Sequence, residues 1–173
     1  MRLLEIADLI APALKVLFCG INPGLYSGAV GHHFARPGNR FWPVLQRAGF
    51  TDRVLSPFDT RALLAAGCGV TNIVRRATVA ADEIGADELR RGATRLAAKV
   101  RRYRPRYLAV LGIGAYRAAF ERPSAALGLQ AERIGAARIW VLPNPSGLNA
   151  HYQIEELTRL FRELRAAAFR GRV

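Results

Sequence analysis

Two Asn-Pro turns, each directly after a β-rich apolar run, constrain this chain more than anything else in it. Gly20-Ile21-Asn22-Pro23-Gly24 follows Lys15-Val16-Leu17-Phe18-Cys19, and Asn144-Pro145-Ser146-Gly147-Leu148-Asn149 follows Arg138-Ile139-Trp140-Val141-Leu142-Pro143. A strand that stops in Gly, Pro and Asn exposes backbone N–H groups and a short polar side chain at one edge of a sheet. In open α/β sheets the carboxyl edge is where ligands bind. One such turn is ordinary punctuation. Two of the same chemistry at strand ends predict opposite walls of one pocket.

The rest of the chain supplies the sheet and its cover. Residues 1–12 read as a short helical or irregular lead-in, and 15–19 as the first strand. A long Gly/Pro/His-rich loop is expected from Ile21 to Arg40, a length that points to function. Helices are expected over Phe41–Gly49, Thr60–Ala66, Ala86–Tyr103, Gly114–Glu121 and His151–Phe169, with strands at Val70–Val74, Tyr107–Gly112 and Ala137–Leu142. In the Ala86–Tyr103 segment Leu89, Ala93, Leu96, Ala97 and Val100 share one face, while Arg90, Arg91, Arg95, Lys99, Arg101 and Arg102 occupy the other. That basic face is either solvated or in contact with phosphate. Alternating strands and helices predict an α/β protein, a three-layer α/β/α sandwich around a short, mainly parallel sheet. No repeat or internal boundary interrupts it, so a single domain over residues 1–173 is expected.

Charge narrows the partner. The chain carries 26 basic and 13 acidic residues, a net +13. Only Lys15 and Lys99 are lysines. A G+C-rich genome explains choosing Arg over Lys, but less readily explains twice as many bases as acids. Nucleic acid is the expected partner class. No apolar run reaches membrane-spanning length, and the N-terminus lacks a cleavage pattern, so a cytoplasmic protein without membrane contact is expected. Cys19 and Cys68 lie in or beside strands, as buried free thiols do. Two cysteines cannot supply a Cys₄ metal or cluster site.

Few other residues carry chemistry. His32, His33 and His151 lack metal-site spacing and acidic partners, and read as loop polarity, so no metal is expected. Gly112-Ile113-Gly114 lacks the third Gly of a dinucleotide loop. Asp52 and Asp59 read as flanks of short helices. Asp82 follows a strand on a loop that should open towards the crevice; it is the secondary candidate for activating a water, and otherwise an exposed acid at a helix entry.

The two turns, together with Phe34-Ala35-Arg36-Pro37-Gly38-Asn39-Arg40-Phe41-Trp42, make the chain resemble the mismatch-specific uracil-DNA glycosylase branch of the uracil-DNA glycosylase superfamily, which includes the thymine-DNA glycosylases. The similarity runs from about Ala11 to the C-terminus. The classical branch has Asp-Pro-Tyr and His-Pro-Ser where this chain has Asn22-Pro23-Gly24 and Asn144-Pro145-Ser146. The resemblance implies a monofunctional enzyme without a cofactor. It would flip uracil, or a related mispaired or damaged base, out of double-stranded DNA and hydrolyse its N-glycosidic bond. Single-stranded DNA would be a further partner, the protein a monomer, and the nucleoid its place when bound.

Residue roles follow from the same resemblance. Asn22 would hold the attacking water. Phe34 would stack on the base, and Gly24 would leave room at base position 5. Ile21, Ser27 and Asn144 would complete the base site. Leu148 would fill the gap left by the flipped nucleotide, with Gly147 and Asn149 facing the opposite strand. Ala150 stands where bacterial relatives often have Arg. A non-catalytic nucleic-acid-binding domain of the same fold is the alternative.

Overall fold

A computed structural model describes residues 5–170; the first four residues of the lead-in, and with them half of the N-terminus read for a leader, lie outside them. In chain order the elements are β1 (Val16–Gly20), α1 (Leu25–Val30), α2 (Phe41–Arg47), α3 (Thr60–Ala65), β2 (Cys68–Asn72), α4 (Ala86–Tyr103), β3 (Tyr107–Leu111), α5 (Ile113–Ala119), β4 (Gly128–Ile134), β5 (Ala137–Leu142) and α6 (Ile154–Ala168). A 3₁₀ turn, Ala81–Glu83, precedes α4. The strand order is β2-β1-β3-β5-β4. All neighbours are parallel except the β4–β5 pair.

Both faces of the sheet are covered, because the strands alternate apolar residues on either side. Val16 and Phe18 of β1 pack with Val70, Ala109 and Leu142 against Phe41, Leu45, Leu157, Phe161 and Leu164. Leu17 and Cys19 point the other way, into Leu108, Val110, Ile139, Leu96, Val100 and Tyr116. Helices α2 and α6 therefore form one layer and α4 and α5 the other. This is the expected three-layer α/β sandwich.

Two expectations need correction. The stretch Ile21–Arg40 is not all loop: Leu25–Val30 is helical, closed by Gly31 in the left-handed conformation (φ 74°). Six residues interrupted by Gly28 give too few apolar positions to show helical periodicity. The second correction is β4, which the sequence does not announce. Its residues alternate between exposed and partly covered, and Ile134 alone is buried, so it lacks the apolar run that marks β3. As the antiparallel edge strand it needs only one covered face.

Candidate active site

A cavity of about 390 Å³ opens at the carboxyl edge of the sheet. Both Asn-Pro turns line it through Ile21, Asn22, Pro23, Gly24, Asn144, Ser146, Leu148 and Asn149. Ser27, Phe34 and Asn72 contribute as well. The two turns, about 120 residues apart in sequence, are walls of one site, as the strand-end argument anticipates.

The first turn is fixed by one amide. Asn22 Nδ2 donates to the Arg76 carbonyl (3.0 Å) and to the Thr78 hydroxyl (2.8 Å). A carbonyl can only accept, so the atom facing Arg76 must be the amide nitrogen. The Thr78 hydroxyl spends its own hydrogen on the Ala80 carbonyl (2.7 Å). Both N–H bonds of Asn22 are thereby committed, and Oδ1 is left as its free acceptor. The β2–α4 loop that supplies these partners is itself tethered. Thr78 N–H donates to the Pro23 carbonyl (3.1 Å), and the Arg76 guanidinium forks onto both Glu88 oxygens at 2.8 Å. That guanidinium holds the Glu88 carboxyl below its ordinary range.

Phe34 is half-buried, with its ring centroid 4.2 Å from that of Phe41. Its backbone sits at φ 52°, a left-handed conformation that costs a non-glycine residue about 1–2 kcal/mol. Such strain concentrates where a side chain is held for a purpose. Ser27 is buried, and its Oγ accepts the Ala35 N–H (3.0 Å), bracing the loop that carries Phe34. At Gly24 an added Cβ would meet nothing within 4 Å, so the wall there is open space.

The second turn is self-braced. Asn144 Oδ1 accepts the Ser146 N–H (3.0 Å), and Asn149 Nδ2 donates to the Asn144 carbonyl (3.0 Å). Gly147 lies so close to the first loop that a Cβ would stand 2.6 Å from the Gly38 carbonyl oxygen; no larger residue fits. Leu148 stands out from this frame with 69% of its surface exposed. Ile21 lines a second cavity beside the first, shared with Asn144 and Asn149.

Besides Arg76 and Thr78, which brace Asn22, and the wall residues beside them on the same loop, four more lining or bracing residues escape a reading of the sequence. Arg40 ties the two turns together. Its guanidinium donates to the carbonyls of Pro145 (3.3 Å), Ser146 (2.8 Å), Asn149 (3.0 Å) and Tyr152, and its N–H to Pro145 (3.1 Å). Asn72, the last residue of β2, lines the cavity, with its Nδ2 facing His33 Nδ1 at 3.5 Å. His33 is not loop polarity: it is 4% exposed, lines the cavity and bonds the Ala7 carbonyl through Nε2 (2.9 Å). Burial pushes its pKa down from 6.5, more than the Ala7 carbonyl and Asp8 raise it. Ile6 is the fourth. None is marked by spacing, because each enters only through tertiary contact.

Asp82 does not join them. It is exposed on the 3₁₀ turn and absent from the cavity wall, where Thr78, Val79, Ala80 and Ala81 stand instead. Among the described residues no carboxylate lines this cavity. Cys19 and Cys68 are buried free thiols whose pKa values burial raises, the latter to about 12. Among the described residues no group of three His, Cys, Asp or Glu is placed to hold a metal. None of the described helices is long and apolar enough to cross a membrane.

Comparison with known proteins bears on the family and the fold. The family model described as the uracil DNA glycosylase superfamily matches residues 7–166. Among solved structures, the chain is similar to the solution NMR structure of a candidate uracil DNA glycosylase from Methanosarcina acetivorans. The two share 18% identity at a TM-score of 0.62, over 93% of this chain and 97% of the other. At that identity the likeness speaks for the fold alone.

Proposed function

This chain belongs to the uracil DNA glycosylase superfamily, a family of DNA glycosylases acting on DNA, and from that premise we propose that it is a monofunctional enzyme of the mismatch-specific type. It removes uracil, and related mispaired bases, from DNA. The observation that carries this reading is the committed amide of Asn22. With both N–H bonds engaged, only Oδ1 remains to hold a water against the sugar.

An amide oxygen orients a water but does not accept its proton. The chemistry therefore rests on the leaving group. The C1′–N1 bond breaks with its electron pair passing to the base, water oxygen bonds to C1′, and the water's proton passes to solvent or to the base anion. Asn144 has its Oδ1 engaged by Ser146, which leaves its Nδ2 as a donor for the charge developing on the base. Among the described residues no carboxylate lines the cavity, which suits a site where a neighbouring negative charge would oppose that anion. Asn72 lines the same cavity; its Nδ2 faces His33 Nδ1 at 3.5 Å, which leaves Oδ1 and the second N–H as an acceptor and a donor to match the N3–H and O4 edge of uracil.

Monofunctional action is supported by the lysines. Neither of the two lines the cavity, and Lys99 is engaged by Asp8 and Thr71, so among the described residues no lysine amine stands ready to form a Schiff base. The mismatch-specific assignment rests on Asn22, Asn144 and the open space at Gly24. A monomeric, cytoplasmic protein of one domain is part of the same proposal.

The test is incubation with a labelled duplex holding one U·G pair, followed by alkali to break abasic sites. Site-specific breaks are expected from the native protein, and a fall of roughly a hundredfold for Asn22→Ala, the cost of a misplaced water, with duplex binding kept. An unbroken strand with native protein would sink the proposal. Full activity in Asn22→Ala would remove Asn22 from the mechanism.

A further inference from the structure

Most of the cavity wall comes from the segments that follow β1, β2 and β5, but Ile6 reaches it from ahead of β1. The three residues after Ile6 are each tied to a different part of the molecule. Ala7 gives its carbonyl to the buried His33 ring at 2.9 Å. Asp8 accepts the Thr71 hydroxyl at 2.8 Å and pairs with Lys99 of α4. Leu9 exchanges both backbone bonds with Val70 of the edge strand β2, at 2.9 and 2.8 Å. The fit at that point is close enough to dictate sequence: a Cβ at position 69 would stand 2.3 Å from the Leu9 carbonyl oxygen.

A segment that only covered the surface would need no such anchoring. Here the ties hold an apolar, β-branched side chain of few rotamers at the cavity, one residue before the carbonyl that bonds His33. We propose that Ile6 is a specificity-determining residue: its side chain forms a wall of the base cavity and limits the size of base that enters. The inference rests on the reading that this cavity takes a flipped base. It adds that base size is governed by a segment outside both Asn-Pro turns. Gly24 leaves one side of the cavity open, so a limit on size must come from another wall, and Ile6 supplies an apolar one.

The test compares single-turnover excision of uracil, thymine and hypoxanthine, each mispaired with guanine in one duplex sequence. Rates are taken relative to uracil for the same variant, so that a loss of folded protein cancels. Removing a few methylene-sized groups from an apolar wall changes discrimination by about tenfold or more. Ile6→Ala should raise the relative rate for at least one of the two larger bases by that factor, and Ile6→Val should raise it less. Ile6→Phe should lower the thymine-to-uracil ratio. If Ile6→Ala proves too unstable to excise uracil, Ile6→Val against Ile6→Phe carries the same comparison. Ratios within twofold of the native protein in all variants would overturn the wall assignment while leaving the glycosylase reading intact. Failure of the native protein to excise uracil would sink that reading instead.

Discussion

At the scale of single residues the site works by using up alternatives. Asn22 could offer a donor or an acceptor, and its contacts with Arg76 and Thr78 leave the acceptor. His33 is held in the same spirit. Its Nε2 faces a carbonyl, so that nitrogen bears the hydrogen, and burial keeps the ring neutral. This has a consequence for stability. The folded pKa lies below the unfolded value near 6.5, so at falling pH the unfolded chain takes up the proton first. The stability associated with neutral His33 is fully present above about pH 6.5 and is lost as pH falls through the folded value. His33→Gln, whose amide can still donate to Ala7, should therefore show a smaller drop in melting temperature between pH 7.5 and 5.5 than the native protein. Equal drops would mean that other groups set the acid limb.

At the scale of elements, the second turn is a rigid arm clamped by Arg40, and Leu148 is its exposed tip. Flipping a nucleotide costs a few kcal/mol, least when the base is unpaired. If Leu148 offsets that cost by filling the vacated stack, Leu148→Ala should impair excision from duplex at least tenfold more than from single strands. Arg40→Ala should reproduce part of this duplex-selective loss, because it frees the carbonyls of Pro145, Ser146, Asn149 and Tyr152 that carry the tip. Equal losses on both substrates would show that Leu148 only packs the loop. What the sequence discloses follows the same division. The span of α4 is legible to the residue, since 18 residues of clean amphipathic pattern leave no alternative, and the two turns are legible because Asn-Pro ends a strand. Helix α1 and strand β4 are not, being too short or too polar to repeat a pattern. Arg40, Asn72, His33 and Ile6 are invisible for another reason: their roles lie in partners dozens of residues away.

At the scale of the molecule the question is where a net +13 charge meets its partner. Topology bears on this. Helix α4 starts at the cavity edge of the sheet and runs back to the opposite edge over 18 residues, a length of about 27 Å. Arg101 and Arg102, at its far end, are thus remote from the cavity, whereas Arg36 lines it and exposed Arg75 sits on the loop beside it. Arg76 is already committed to Glu88. Phosphate contacts should then come from the cavity rim, with the distal arginines solvated. Each phosphate neutralised contributes about −0.9 to the slope of log K against log salt on duplex DNA. For binding to a uracil-containing duplex, Arg36→Ala and Arg75→Ala should each make that slope shallower by about one, while Arg102→Ala should leave it unchanged. A slope near zero in the native protein would mean that the basic excess is composition rather than a DNA footprint. A change in Arg102→Ala equal to that in the rim variants would extend the footprint along α4, and the confinement of phosphate contacts to the rim would be wrong.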